Sequence, residues 1–461
     1  MADSNRVSFI SLGCPKALVD SELVVTQLEG AGYEIVPGDE PAEVVVVNTC
    51  GFIDAARDES FETIQQCLDD AKKVVVTGCL GTEAAPLKQR FPQVEFVGGP
   101  ADVATVLAGV QHYVPQADPL PELQVKSLQT SDDMWAHAGQ RLRLTPEHYA
   151  YLKISEGCNH KCSFCIIPQM RGKLRSRPIN SVLAEAQALV EQGVQELLVV
   201  AQDLSAYGVD IKYAQSNWNQ RMLEARLDTL CQELGDIAPW VRLHYVYPYP
   251  SVDHLIPLMA EGKILPYLDV PLQHASPRVL KAMRRPAAAE KALQRIKTWR
   301  QICPELCIRS TFIVGFPGET DEDVGMLLDF LEEAQLDRVG CFTYSPVEGA
   351  RANALADHVD QAEQLDRAER VYETQATISA GRLQSRVGKK LRVLVDSVDT
   401  HQLVGRSQYD APDIDGQVFV ELSQADVGMG VKEGDFVWAE ITHSDDHDLY
   451  GEIVGQGVSL G

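Results

Sequence analysis

Nowhere in the 461 residues does a run of about 18 uninterrupted apolar side chains occur, so no membrane-spanning helix is expected. The opening residues, Met1-Ala2-Asp3-Ser4-Asn5-Arg6, lack a basic segment followed by an apolar one. That argues against a secretory signal and for a cytoplasmic chain. Stable disulfides are rare in that compartment, so eleven cysteines need another account. Low-complexity tracts and fixed-period repeats are missing. Positive charge is also scarce, with 41 basic residues against 66 acidic ones and a net charge of −25. Such acidity disfavours non-specific nucleic-acid binding and favours a basic partner. The 45% hydrophobic content excludes a mainly disordered chain, and the length suits roughly two to four domains.

What is present is alternation of strand and helix. Val7 to Leu12 reads as a strand and Ala17 to Gly32 as a helix with apolar residues at helical spacing. The runs Val44 to Val47, Val74 to Val76 and Val94 to Val97 suit strands buried on both faces of a parallel α/β sheet. Periodicity fails from about Tyr113 to Gln140, where Pro115, Pro119 and Pro121 sit among polar residues, as in a linker. A second α/β series then follows. Strands are expected at Tyr149 to Ile154, Glu196 to Val200, Val241 to Val246, Tyr267 to Val270, Ser310 to Val314 and Gly340 to Thr343. Six such repeats suit a partial barrel better than a closed eight-stranded one. Beyond Gly388, short β-rich runs at Leu391 to Val395, Val418 to Leu422 and Phe436 to Ile441 predict a small five-stranded all-β barrel.

The strongest chemical signal is Cys158-Asn159-His160-Lys161-Cys162-Ser163-Phe164-Cys165. Three thiolates on one short loop can hold a four-iron cluster and leave one iron open to another ligand. A zinc site is the bland alternative, but zinc sites usually pair cysteines at two-residue gaps and close with a fourth ligand. His160, inside the loop, would be strained in that role. A second triad is dispersed: Cys14, Cys50 and Cys79 each follow a strand of the first series, each beside Gly or Pro. In a parallel sheet, strand carboxyl ends share one edge, where ligands bind. Inert buried thiols would explain any one of these cysteines, but together they predict a second cluster. Cys67, Cys231, Cys303, Cys307 and Cys341 read as packing residues.

The three-cysteine loop, with Phe164 before its last Cys, resembles the signature of radical S-adenosylmethionine enzymes. With Cys14, Cys50, Cys79 and the C-terminal β-module, the chain resembles the methylthiotransferases along essentially its whole length. Ser11-Leu12-Gly13-Cys14-Pro15-Lys16 and Asn48-Thr49-Cys50-Gly51-Phe52-Ile53 look like the branch that modifies the twelfth protein of the small ribosomal subunit. The resemblance implies a cluster domain over residues 1–115, a linker over 116–143, a radical core over 144–382 and a TRAM domain over 383–455. Two 4Fe–4S clusters and two S-adenosylmethionine molecules are implied. One S-adenosylmethionine would be cleaved to a 5′-deoxyadenosyl radical that takes hydrogen from the β-carbon of an aspartate. The other would methylate the sulfur carried on the N-terminal cluster. An electron donor and a sulfur donor are implied as partners.

The same resemblance places Gly315, Pro317, Gly318 and Glu319 near the adenine. By itself, their Gly-Pro-Gly turn reads equally well as a helix cap. Gln202 and Asp203 end the second barrel strand, where related enzymes carry Gly-Gly-Glu against the methionine amine. Gln273 and His274 end the fourth, near ribose or substrate, though His274 reads equally as a structural histidine. Arg171, Lys173, Arg175 and Arg177 form a basic run after the cluster loop, suited to an acidic substrate or to solvent. A tRNA substrate is the competing reading. From residue 384 on, six basic residues stand against fourteen acidic ones, a net of −8 with His neutral. That surface disfavours phosphates and suits a basic ribosomal protein. Asp410, Asp413 and Asp415 are expected to form its exposed docking loop.

Overall fold

The structure, a computed structural model, describes residues 5–38, 40–115, 141–285, 289–422 and 430–456. Its first unit is a parallel sheet of β1 (Arg6–Ser11), β2 (Glu34–Pro37), β3 (Val44–Thr49), β4 (Lys73–Gly78) and β5 (Phe96–Val97), ordered β2-β1-β3-β4-β5. Val44 to Val47 and Val74 to Val76 are buried because helices cover both faces, whereas the expected strand Val94 to Val97 shortens to a half-buried edge strand, β5. Helices α1 (Pro15–Gly30) and α4 (Val103–Tyr113) pack on Val44, Val46 and Val75. On the other face, α2 (Asp54–Asp69) and α3 (Ala84–Arg90) pack on Val45, Val47, Val74 and Val76. Strand order reverses between β1 and β3, which opens a crevice at their carboxyl ends. β2 was not expected from the sequence, since only Val36 of its four residues is buried.

The expected linker lies largely outside the described residues; its end, from Arg141, is ordered against both units. The second unit starts with β6 (Tyr149–Lys153), then a two-stranded ribbon of β7 (Ser155–Glu156) and β8 (Arg175–Ser176). The strands β9 (Glu196–Val200), β12 (Trp240–Leu243), β13 (Tyr267–Asp269), β14 (Cys307–Val314) and β15 (Arg338–Thr343) follow. With β6 they form one six-stranded parallel sheet, ordered β15-β14-β13-β12-β9-β6, whose end strands do not pair. All six strands expected from the sequence lie in it, as a partial barrel. A hairpin of β10 (Gln215–Trp218) and β11 (Arg221–Glu224) lies outside that sheet. The start of α1 enters the barrel's inner space: Leu18 and Val19 pack on Tyr149, Tyr151, Leu198, Val200 and Tyr245. The first domain thereby plugs the second.

The last unit is a closed barrel of β16 (Lys390–Val398), β17 (Gln402–Ser407), β18 (Val418–Glu421), β19 (Phe436–Ser444) and β20 (Leu449–Gln456). Its core is continuous with Trp240, Tyr267 and Cys307, all at the amino ends of the large barrel's strands. The module therefore closes the mouth opposite the cysteines. Here the expected acidic docking loop is corrected. Asp410 is 1% exposed and pairs with Arg338 at 2.9 Å. Asp415 accepts a hydrogen bond from the Tyr267 hydroxyl at 2.6 Å and lies 3.5 Å from Arg309. Only Asp413 faces solvent. The physical reason is local: Arg338, Arg309 and the Tyr267 hydroxyl present donors where the loop packs, so its carboxylates turn inward to meet them. No described helix is long and apolar enough to cross a membrane.

Candidate active site

Cys14, at the N-cap of α1, Cys50, directly after β3, and Cys79, directly after β4, meet at the crevice. A Cβ on Gly13 would lie 3.4 Å from the Cys50 sulfur, which places the first two loops against each other. Arg171 reaches across from the second domain and donates from Nη2 to Cys79 Sγ at 3.5 Å. Burial pushes the Cys79 thiol up to about 11, and it raises Cys50 as well. Burial acts on Cys14 too, but Lys16 and Arg171 outweigh it and hold that thiol below its ordinary value.

Cys158, Cys162 and Cys165 lie on the loop bracketed by the β7–β8 ribbon. Gly157 permits this loop: its φ is +75°, and a Cβ there would sit 2.1 Å from the Lys173 carbonyl oxygen. Backbone N–H groups of His160 and Ile167 donate to Cys158 and Cys165 sulfurs at 3.4 Å each. Burial raises these thiols to about 11 and about 12. Burial thus disfavours a bare thiolate at Cys50, Cys79, Cys158 and Cys165, a cost that a bound metal would relieve. Among the described residues, no three His, Cys, Asp or Glu side chains gather closely enough to share one metal ion. Three cysteines per triad match the donor set of a four-iron cubane that leaves one iron open, whereas a structural zinc site would need a fourth ligand.

His160 is not a metal ligand here. Its Nε2 lies 2.8 Å from Asp203 Oδ2, and its ring stacks on Tyr247 at 4.0 Å. Asp203, at the strand end where related enzymes hold the methionine amine, ties the cluster loop to β9. Arg285 covers the other side of the site, over the Tyr247 ring at 3.9 Å and 3.9 Å from Cys162 Sγ. Gln202 donates to Glu156 at 2.9 Å, and its buried Oε1 accepts nothing. The Tyr247 hydroxyl and Ser155 Oγ are likewise buried without partners. Unsatisfied polar atoms beside a cysteine loop fit a polar cofactor, because leaving them unpaired is costly. Sequence reasoning missed Tyr247, Tyr249 and Arg285; the signal was the aromatic run after the third strand.

Gly315 has φ +71°, and its N–H donates to Glu319 Oε1 at 2.8 Å. The Glu319 carboxylate is buried, paired with Arg367 at 2.9 Å and 3.3 Å from His274 Nε2. It shapes the Gly315-Phe316-Pro317-Gly318 turn from behind and does not face outward. Gln273 extends the sheet edge, its N–H bonded to the Thr311 carbonyl at 2.8 Å. The basic run splits. Lys173 and Arg175 are exposed, whereas Arg177 is buried on Glu185 at 2.5 Å. Arg171 lies 3.0 Å from Asp20 and 3.2 Å from Glu156, and Lys153 joins the same two carboxylates. This buried web of two cations and two anions spans both domains and touches both cysteine loops. Arg141 adds a second bridge, from Glu22 of α1 to Glu185 of the barrel.

Family models match three stretches: residues 6–99 (Uncharacterized protein family UPF0004), 152–331 (Radical SAM superfamily) and 387–454 (TRAM domain). The chain is 56% identical over 453 residues to the ribosomal protein uS12 methylthiotransferase RimO of Pseudomonas aeruginosa strain UCBPP-PA14, spanning 97% of this chain and 99% of that protein. It is 55% identical to the RimO of Saccharophagus degradans, over 98% of this chain and 91% of that one. The RimO of Escherichia fergusonii is 53% identical over 97% of this chain and 98% of its own length. Among solved structures, a radical S-adenosylmethionine methyltransferase, TsrM from Kitasatospora setae with cobalamin and a [4Fe-4S] cluster bound, superposes with a TM-score of 0.52. At 16% identity, covering 75% of this chain and 74% of that chain, it speaks for the fold alone.

Proposed function

The chain belongs to the radical S-adenosylmethionine methylthiotransferases of ribosomal protein uS12, and from that premise we propose that it adds a methylthio group to the β-carbon of a uS12 aspartate. Cys158, Cys162 and Cys165 would hold one [4Fe–4S] cluster, and Cys14, Cys50 and Cys79 the other. The observation that carries this reading is that the two triads border one seam, where Arg171 links Cys79 to Asp20 and Glu156 and Cys79 packs with Ile166 and Met170 beside the second cysteine loop. A tRNA substrate is not favoured.

When bound, the two clusters and S-adenosylmethionine supply the electron, the radical and the sulfur, which no side chain here can provide. The chain's residues position them. Asp203 fixes His160 and with it the cysteine loop. Arg285 and the two backbone N–H groups lend positive charge to the sulfurs, which raises a cluster's reduction potential. Gln202 Oε1 and the Tyr247 hydroxyl are free to meet the polar groups of S-adenosylmethionine. Glu319 holds the glycine turn open for a flat group. An electron donor and a sulfur donor are required by the balance of the reaction, and the chain works in the cytoplasm, where uS12 is made.

Anaerobically reconstituted protein should hold roughly eight irons, and changing Cys158, Cys162 and Cys165 to Ala should leave about half. Mass spectrometry of uS12 and tRNA from cells lacking the chain should find uS12 unmodified and tRNA unchanged. Saturation at about four irons in the intact protein, or a tRNA defect, would refute the reading.

A further inference from the structure

Cations crowd the seam between the first domain and the barrel, and nearly all are matched. Lys153 and Arg171 share Asp20 and Glu156, and Arg141 holds Glu22 and Glu185. Arg285 donates to the Pro271 carbonyl and covers Cys162. Lys16 differs. Its ammonium makes no ion pair with any described carboxylate, and it rests on the face of Tyr245, 3.3 Å from the ring centroid.

Its position matters as much as its isolation. Lys16 is in the first turn of α1, two residues past Cys14, on the stretch that enters the barrel's inner space. Tyr245 follows β12 at the carboxyl edge and holds a φ of +63°, a conformation that costs a bulky residue about 1–3 kcal/mol. Its N–H is anchored on Asp269 Oδ2 at 3.1 Å. The ring thus forms a fixed platform under the ammonium. With no carboxylate beside it the ammonium has donors to spare, because it carries three N–H groups and the ring occupies one side. Cys14, two residues away, is the neighbouring anionic group, but no described carboxylate reaches the ammonium, which leaves room for one that arrives.

Resting on the reading of uS12 aspartate as substrate, we propose that Lys16, seated on Tyr245, binds the carboxylate of the target aspartate and selects Asp over its amide. The pairing places the aspartate beside Cys14 on one side and the radical-bearing edge of the barrel on the other.

The test uses cluster-loaded enzyme with two substrates, uS12 and uS12 with the target Asp→Asn, reading both binding and kcat/KM. The wild-type enzyme should prefer the aspartate form by roughly 100-fold, the scale set by leaving a buried polar group unpaired. Lys16→Met should lose most of that factor on the aspartate form while treating the asparagine form within about threefold of wild type, so that the preference collapses. Lys16→Arg should restore most of it. Iron content serves as the control for folding. Should Lys16→Met lose iron, the wild-type binding ratio and Lys16→Arg carry the decision. An unchanged Asp/Asn ratio in Lys16→Met, or a wild-type ratio near one, overturns the assignment. Failure of wild-type enzyme to modify uS12 at all would instead strike the functional reading beneath it.

Discussion

Replacing Arg171 with Met removes one charge from a buried web that is neutral as built: Lys153 and Arg171 against Asp20 and Glu156. One net negative charge would remain, all of it out of water, since every member is under a tenth exposed. Breaking a buried pair in this way costs about 3–5 kcal/mol. Melting entropy is about 2 cal per mol per K per residue, so a cooperative unit of roughly 400 residues loses ~0.8 kcal/mol per K. The expected fall in melting temperature is therefore about 4–6 °C. Asp20→Asn in the Arg171→Met background restores neutrality and should recover about half of that loss through a coupling of ~2 kcal/mol. Heating scans of anaerobic, cluster-loaded protein at one fixed rate measure wild type and both variants, with iron counted before each scan. The web is not a structural tie if Arg171→Met melts within about a degree of wild type. A double variant that melts lower than Arg171→Met alone would refute the charge account.

Two further outcomes follow from the seam between the barrel and the C-terminal module. Burial pushes the Glu196 carboxyl up, but Arg406 and Arg242 outweigh that and hold it below the usual range. A depressed carboxylate contributes fully above about pH 4.3 and loses that contribution as pH falls through its lower folded value. Glu196→Gln should therefore be clearly less stable than wild type at neutral pH, by about 3 kcal/mol in urea unfolding, with the gap closing below about pH 4. In the loop once expected to dock a partner, Asp410→Asn should cost about 3 kcal/mol by stranding Arg338, whereas Asp413→Lys should stay within about 0.5 kcal/mol, read from the same urea midpoints.

Much of the architecture was legible because burial writes a plain pattern. Val44 to Val47 can only be a strand covered on both sides, and all six barrel strands announced themselves by short apolar runs. The cysteines were legible for a different reason: Cys14, Cys50 and Cys79 each end a strand, and parallel topology alone brings such positions to one edge. Charge was not legible in this way. Asp410 and Asp413 look alike in sequence, yet one is buried on Arg338 and the other is in solvent. Arg171 and Lys173 likewise part ways two residues apart. Spacing reports which face a residue occupies, but the partner that decides a charge's fate is supplied by a distant segment. The helix Gln361–Gln384 escaped notice for a related reason: its many polar residues dilute the apolar spacing to seven buried positions in 24.

The web at the seam also orders events in time. Asp20 and Glu22 leave the ribosome early, whereas Arg141, Lys153 and Arg171 are added more than a hundred residues later. Until then the first domain carries carboxylates with no counter-charge and a helix start with no barrel to enter. Domains emerging first usually fold first, but this one has reason to wait. Its Cys79 gains the Arg171 N–H only after the barrel's cysteine loop is complete. A nascent chain cut off before residue 171 would carry the three thiols of the first triad without the cation that sits beside them.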